Sequence, residues 1–405
     1  MKRIYILLVA VLAVNNIYAQ TIDALQRWAK QNPAKIELQN ESFAQKNLTA
    51  DEAAKAAALL ESQWREQMKQ LHKEALENET FKRGRLQMKF KAITYGEKPA
   101  DGRSLYISMH GGGATHKRVN DQQWDNQIRL YKPEEGVYVA PRAPWDDWNM
   151  WFKPGMDEFF EMLIQAAVAT MDVNPDKVYL MGYSAGGDGV WRMAPRMADR
   201  WAAASMMAGH PGEALQVSLR NMPFMIWMGE NDSAYDRNKL AVKHGAIMDS
   251  LQQADTEGYI HETHIIKGKG HWMDRVDAAA VPWMAQYKRN PYPNKIVWRQ
   301  EEVTRQAFYW LSVPEKECRH KATVIAEIDK NVIEISESDY SRLTICLNDE
   351  MVDLDKPVTV RYKGEKVFKG KLSRTIGNMA RTLNQRGDLR YMFPAMVEVE
   401  LPKTK

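Results

Sequence analysis

At 405 residues the chain exceeds one ordinary domain, and its composition changes along its length without internal repeats or low-complexity tracts. A formal charge of +4 with no long basic run makes a nucleic-acid partner unexpected. No grouping of His, Cys and carboxylates has the spacing of metal ligands, so neither a metal nor a cofactor is expected.

In chain order, Lys2-Arg3, the apolar run Ile4 to Val14 and then Ile17-Tyr18-Ala19 read as a signal peptide over residues 1–19, cut between Ala19 and Gln20. The apolar run is too short to span a membrane, so no stable membrane insertion is expected after cleavage. No cysteine follows the cut to carry a lipid anchor, and a secreted or periplasmic product is predicted. Residues 20–84 are helical in character. Thr49-Ala50-Asp51-Glu52 is a capping-box start, and Leu60, Trp64, Met68, Leu71 and Ala75 recur on one face, as in an amphipathic support helix.

Residues 85–292 alternate between strands and helices, and several strands run into loops of unusual composition. Ser104 to Met109 leads into His110-Gly111-Gly112-Gly113, and Gly136 to Ala140 leads into Trp145-Asp146-Asp147-Trp148-Asn149-Met150-Trp151-Phe152. A helix is predicted over Met156 to Met171. Asp176 to Gly182 reads as a turn feeding a short strand, followed by Gly182-Tyr183-Ser184-Ala185-Gly186 and a helix over Asp188 to Met197. Ala203 to Met207 leads to His210, and Pro223 to Met228 to Gly229-Glu230-Asn231-Asp232. After a helix over Arg237 to Ala254, the strand Tyr259 to Ile266 leads to Gly268-Lys269-Gly270-His271-Trp272. Asn290-Pro291-Tyr292-Pro293-Asn294 ends regular structure, because two prolines in three residues break it. Over 293–405 short alternating runs such as Thr323 to Ile328, Val332 to Ile335, Val358 to Tyr362, Val367 to Leu372 and Val397 to Leu401 predict a β-sandwich domain that polysaccharide binding or docking would explain. Cys318 and Cys346 lie in it, either as one disulfide or as two free thiols.

A lone G-x-S-x-G is weak, since Gly and Ser are common residues. Here its serine sits at a strand-to-helix turn whose glycines allow the backbone to crowd itself, which projects the hydroxyl away from the sheet. A serine hydroxyl becomes a nucleophile when an imidazole takes its proton, and a carboxylate must hold that imidazole. Asp232 is the candidate acid on its G-x-x-D spacing, with Asp236 and Glu230 as rivals. Of nine histidines, His271 alone follows a glycine-bracketed strand end. His261, His264 and His244 fall in or beside a strand or in a helix, where a packed or solvated imidazole is usual, and His110 reads as a structural hydrogen-bonder. The N–H groups of Ala185 and of Gly111 or Gly112 are candidate oxyanion donors. Trp148, Trp151, His210 and Trp272 are candidate pocket residues, since ligands bind at the carboxyl ends of the strands of open α/β sheets.

The glycine triplet, the elbow, the G-x-x-D turn, the G-x-G-H loop and the order Ser184, Asp232, His271 together resemble the α/β-hydrolase superfamily over roughly residues 85 to 290. Gly-Tyr-Ser-Ala-Gly-Gly resembles the elbow of secreted bacterial esterases of the carboxylesterase, polyhydroxyalkanoate-depolymerase and dienelactone-hydrolase-like groups. Asn120 to Trp124 and Met206 to Pro211 resemble uncharacterised secreted hydrolases with an extra C-terminal β domain. The resemblance implies an α/β-hydrolase fold with a mostly parallel sheet, an N-terminal helical segment and a C-terminal all-β sandwich. It also implies a serine hydrolase of carboxylic esters working through an acyl-enzyme, without a cofactor. The substrate expected is a small-molecule or glycan ester, with acetyl or feruloyl esters of polysaccharides favoured by the aromatic loop and by export. A prolyl-oligopeptidase-like peptidase and a non-catalytic carbohydrate-binding protein on the same fold are the alternatives.

Overall fold

The computed structural model describes residues 21–402; the predicted signal peptide lies outside them. Helix α1 runs over residues 21–31 and α2 over Ala50–Glu77. The capping box forms as expected: the Thr49 side chain accepts from Glu52 N–H, and the Glu52 carboxylate accepts from Thr49 N–H at 2.8 Å. Ala53, Ala56, Leu60, Trp64 and Met68 form the buried stripe, but it continues through His72 and leaves Leu71 64% exposed. An all-i+4 stripe has passed Leu71 by that turn, and burial of His72 against Phe81 holds its imidazole pKa below the ordinary value. A guanidinium on the same helix, that of Arg65, donates to Val168 O at 2.5 Å in a helix of the central layer.

The central sheet comprises β1 (Thr80–Arg83), β2 (Leu86–Tyr95), β3 (Arg103–Met109), β4 (Gly136–Arg142), β5 (Val173–Tyr183), β6 (Ala203–Met207), β7 (Phe224–Gly229) and β8 (His261–Ile266). The spatial order is β1-β2-β4-β3-β5-β6-β7-β8. β2 runs antiparallel to β1 and β4, and the pairs from β4 to β8 are parallel. Parallel strands need helical crossovers, supplied by α3 (Lys117–Ile128), α4 (Met156–Thr170), α5 (Ala185–Arg196) and α6 (Arg237–Ala254). Covered on both faces, β4, β6 and β7 are buried at every position, so they read as continuous apolar runs. The sheet order and its crossovers are those of the α/β-hydrolase fold.

A short helix α7 (Ala280–Met284) leads through the Pro291–Pro293 stretch to two further sheets. One orders β10 (Ala307–Phe308), β11 (Leu311–Ser312), β14 (Arg342–Leu347) and β17 (Ala395–Glu400); the other orders β16 (Glu365–Gly370), β15 (Val358–Tyr362), β13 (Val332–Ser338), β12 (Thr323–Asp329) and β9 (Lys295–Arg299). Their inward side chains, including Val324, Ala326, Ile333, Ile335, Ile345 and Val397, join the same buried cluster as the central layer. Helix α8 (Ile376–Arg386), started by the Thr375 side chain accepting from Asn378 N–H, interrupts the segment expected to be all-β, and β1 ends the segment expected to be helical. The two cysteines are free thiols, and burial pushes the Cys346 pKa up to about 12.

The C-terminal sheets are bound to the central layer by buried charges. Arg289 donates to Asp388 at 2.6 Å, to Asp176 at 2.7 Å and to the Asp199 carbonyl at 2.8 Å. Arg200 also pairs with Asp388, Arg386 pairs with Asp199, and Arg305 meets Glu161 at 3.0 Å and Asp157 at 3.4 Å. Burial alone would raise the Asp388 pKa, but Arg289 and Arg200 hold it well below the carboxylate range. A depressed folded-state pKa means that this group stabilises above about pH 4, its ordinary range, and that the contribution fades as pH falls below it. Asp388→Asn is therefore expected to cost about 3 kcal/mol at pH 7, by removing the carboxylate that Arg289 and Arg200 share and leaving each with one partner, Asp176 and Glu161. Urea unfolding should show the gap to wild type closing on acidification.

Candidate active site

The turn between β5 and α5 is tight enough that only glycines fit around it. A Cβ on Gly186 would lie 2.1 Å from the Met109 carbonyl oxygen at the end of β3, and one on Gly187 would lie 2.5 Å from Met207 O at the end of β6. Ser184 at its apex has φ 58° and ψ −121°, a left-handed-side conformation that costs a non-glycine residue energy and is held by this packing. The Ser184 N–H donates to Met207 O at 2.9 Å, which fixes the elbow against β6.

Two loops bring the remaining groups to that hydroxyl. His271 Nε2 is 2.9 Å from Ser184 Oγ, and His271 Nδ1 is 2.7 Å from Asp232 Oδ2. Asp232 is 3% exposed, and Arg237 Nη1 stands 3.9 Å from its other oxygen. The histidine loop is pinned: Gly268 N–H donates to Glu230 at 2.8 Å, the Tyr183 hydroxyl donates to His271 O at 2.7 Å, and Met273 N–H donates to that hydroxyl at 3.1 Å. Asp236, the rival acid, is exposed and paired with Lys239, and Glu230 serves the loop backbone. His261 bonds Asp249, His264 bonds Glu262 and stacks on Trp227, and buried His244 bonds Gln216, so none reaches Ser184.

Gly111 closes on Ser184, since a Cβ there would lie 3.2 Å from Ser184 Cβ. Gly112 and Gly113 have φ of 103° and 77°, and Gly113 N–H donates to Asn120 Oδ1 at 2.7 Å. The buried side chain of Asn120 thereby shapes the glycine turn, and a Cβ on Gly112 would strike its oxygen at 2.2 Å. Beneath the turn His110 Nδ1 donates to Gly111 O at 2.6 Å and Nε2 accepts from Ala143 N–H at 3.2 Å. Burial drives its pKa down to about 3, so it is a neutral brace, as expected of a structural hydrogen-bonder. Ala185 opens α5, where the first N–H groups lack partners within the helix, so its N–H is left without a helical partner next to Ser184.

The pocket expectation is corrected at Trp151. It is fully buried, and its indole N–H donates to His110 O at 2.8 Å, because the apolar floor under the glycine turn needs a large side chain with one donor. Two clefts meet at Gly112, the first of them reaching Ser184. One, of about 600 Å³, is lined by Gly111, Gln123, Asn126, His271 and Trp272 among others; the second, of about 530 Å³, by Trp148, Ala185, Asp188, His210 and Tyr235 among others. Trp148, Tyr235 and Trp272, at 64%, 78% and 50%, are the exposed aromatic residues among the described residues, and all border these clefts.

Sequence reasoning did not single out Asp188 or Tyr183. The spacing from Ser184 to Asp188, one helical turn, was the available signal for Asp188. Burial raises its pKa to about 6, opposed by the His210 N–H, which it accepts at 2.6 Å, and by the charge of Arg237.

No protein-family model matches the chain, and no curated protein matches it. Among solved structures the chain is similar to a thermostable esterase at 16% identity and TM-score 0.42, over 52% of this chain and 62% of that one, less than two thirds of its length. It is similar to a ferulic acid esterase at 17% identity and TM-score 0.36, over 51% and 95%. A mutant of the feruloyl esterase module from Clostridium thermocellum, complexed with sinapinate, gives 14% identity and TM-score 0.35, over 52% and 86%.

A carboxyl whose folded pKa is raised favours the protonated protein, so its stabilisation is present below about pH 4 and is lost as pH rises through about 6. Asp188→Asn is expected to remove that loss. Between pH 4.5 and 7.5, urea unfolding should show wild type falling relative to the variant by about 2 kcal/mol.

Proposed function

We propose that the protein is an exported serine hydrolase of carboxylic esters. The reading is carried by the hydrogen-bonded chain from Asp232 through His271 to Ser184, in a cleft mouth open to substrate. His271 takes the Ser184 proton as Oγ attacks the ester carbonyl, and Asp232 holds the imidazole with Nδ1 as donor and stabilises its positive charge. The N–H of Ala185 and that of Gly111 or Gly112 receive the developing oxyanion. Collapse expels the alcohol, which leaves with the proton from His271, and water then repeats the sequence on the acyl-enzyme to release the acid.

Export rests on the leader-like residues 1–19; no described helix is long and apolar enough to cross a membrane. Exposed Trp148, Tyr235 and Trp272 around the nucleophile suit stacking on sugar or aryl rings, which supports acetyl or feruloyl esters of polysaccharides as substrates.

Ser184→Ala is expected to lower 4-nitrophenyl acetate turnover by about 10⁴-fold or more and to abolish labelling by a fluorophosphonate, with the thermal unfolding profile retained. Unchanged turnover in that variant removes Ser184 from the mechanism. Gly112→Ala, whose Cβ collides with Asn120, is expected to reduce kcat by about 100-fold through displacement of the glycine turn, as measured on the same ester.

A further inference from the structure

The two clefts differ in the state of their cations. In the cleft beside Ala185, Arg192 meets Glu302 at 2.8 Å, and Arg237 stands 3.9 Å from Asp232 with its guanidinium 5.0 Å over the Tyr235 ring. In the cleft beside His271, no carboxylate is among the lining residues, yet Arg129 and Arg275 both line it; Arg275 also borders a neighbouring cleft lined by Glu97, Asp101, Glu134 and Glu135, without pairing with any of them. Among the described residues neither guanidinium makes an ion pair. The acids nearest in sequence are committed elsewhere or turned away. Asp274 pairs with Lys269 at 2.5 Å, Asp277 is buried against the Tyr131 hydroxyl and feels the Arg275 charge without forming an ion pair with it, and Asp125 makes no bridge to Arg129 although it lies one helical turn before it.

The backbone holds Arg275 in place at a cost. Asp274 and Arg275 are consecutive non-glycine residues at φ 52° and 65°, directly after Met273, whose N–H is tied to Tyr183. Strain of this kind persists where the surroundings over-determine it, and it gathers at binding and active sites. Beside the arginines the same cleft presents the carboxamides of Gln123 and Asn126 and the half-exposed indole of Trp272. Guanidiniums form paired hydrogen bonds with planar carboxylates, carboxamides bond hydroxyls, and an indole covers the apolar face of a sugar ring.

We propose that this cleft receives the uronate-bearing part of an acidic polysaccharide ester, with Arg129 and Arg275 holding the sugar carboxylate while Ser184 attacks the ester. The proposal rests on the esterase reading above. It assigns the two arginines to substrate selection, and it gives the enzyme a preference for anionic over neutral glycan esters.

The test compares kcat/KM on O-acetylated oligogalacturonides with that on O-acetylated xylo-oligosaccharides of equal length, for wild type, R129Q/R275Q and R129K/R275K. The expected result is a wild-type preference for the acidic substrate. The glutamine pair should lose it by about tenfold per guanidinium, mainly through KM, and the lysine pair should retain part of it. Thermal unfolding reads the integrity of each variant, and the lysine pair decides the matter if the glutamine pair does not fold. Equal wild-type rates on both glycans, or an undiminished preference in the variants, overturns the proposal. Turnover of 4-nitrophenyl acetate without cleavage of either glycan overturns it and leaves the esterase reading standing, whereas absence of both ester turnover and fluorophosphonate labelling overturns both.

Discussion

The close approach of backbones around Ser184 is the constraint on which the rest of the site depends. Three strand ends, those of β3, β5 and β6, and the first turn of α5 come within distances that no side chain could share. Because Gly186 lies against Met109 and His110, the glycine turn is referenced to the same few atoms that hold Ser184. A shift of either would be felt by the other, which is how a site made from segments distant in sequence keeps sub-ångström relations.

Around that fixed point the loops are restrained by neutral and charged groups in distinct ways. The glycine turn is held by uncharged donors and acceptors, His110, Asn120 and Trp151, whose hydrogen bonds persist across the working pH range. The histidine loop is held by Glu230 and the Tyr183 hydroxyl, so the imidazole meets Ser184 and Asp232 without any rearrangement of its backbone.

Much of this was legible in the sequence, because the chemistry is concentrated at strand ends and strand ends are marked by glycine. Ser184, Asp232 and the glycine turn follow apolar runs that report buried parallel strands, whereas His271 follows the half-buried β8 and is marked by the glycines of its loop. Asp232 and Asp236 were inseparable by spacing, and only the local path of the chain, which turns Asp236 outward in a left-handed conformation, distinguishes them. Trp151 and Trp148 were equally plausible pocket residues for the same reason: aromatic content in a loop says nothing about which ring points down. Helix α8 escaped notice because it is short and flanked by strands, and its stability comes from packing against α2 and the C-terminal sheets rather than from local propensity.

The charges joining the central layer to the C-terminal sheets bear on how this molecule can be rearranged. Asp199 finds its arginine in Arg386, Arg289 and Arg200 share Asp388 besides their own partners Asp176 and Glu161, and Arg305 reaches back to Asp157 and Glu161. A segment cut out at the proline-rich junction would carry Asp199 without its arginine and Arg289 and Arg200 with one carboxylate instead of two, and the excised sheets would carry Asp388, Arg305 and Arg386 without their ion-pair partners. The central layer is therefore not a portable module: transplanting it into another protein would require neutral replacements at the severed seam.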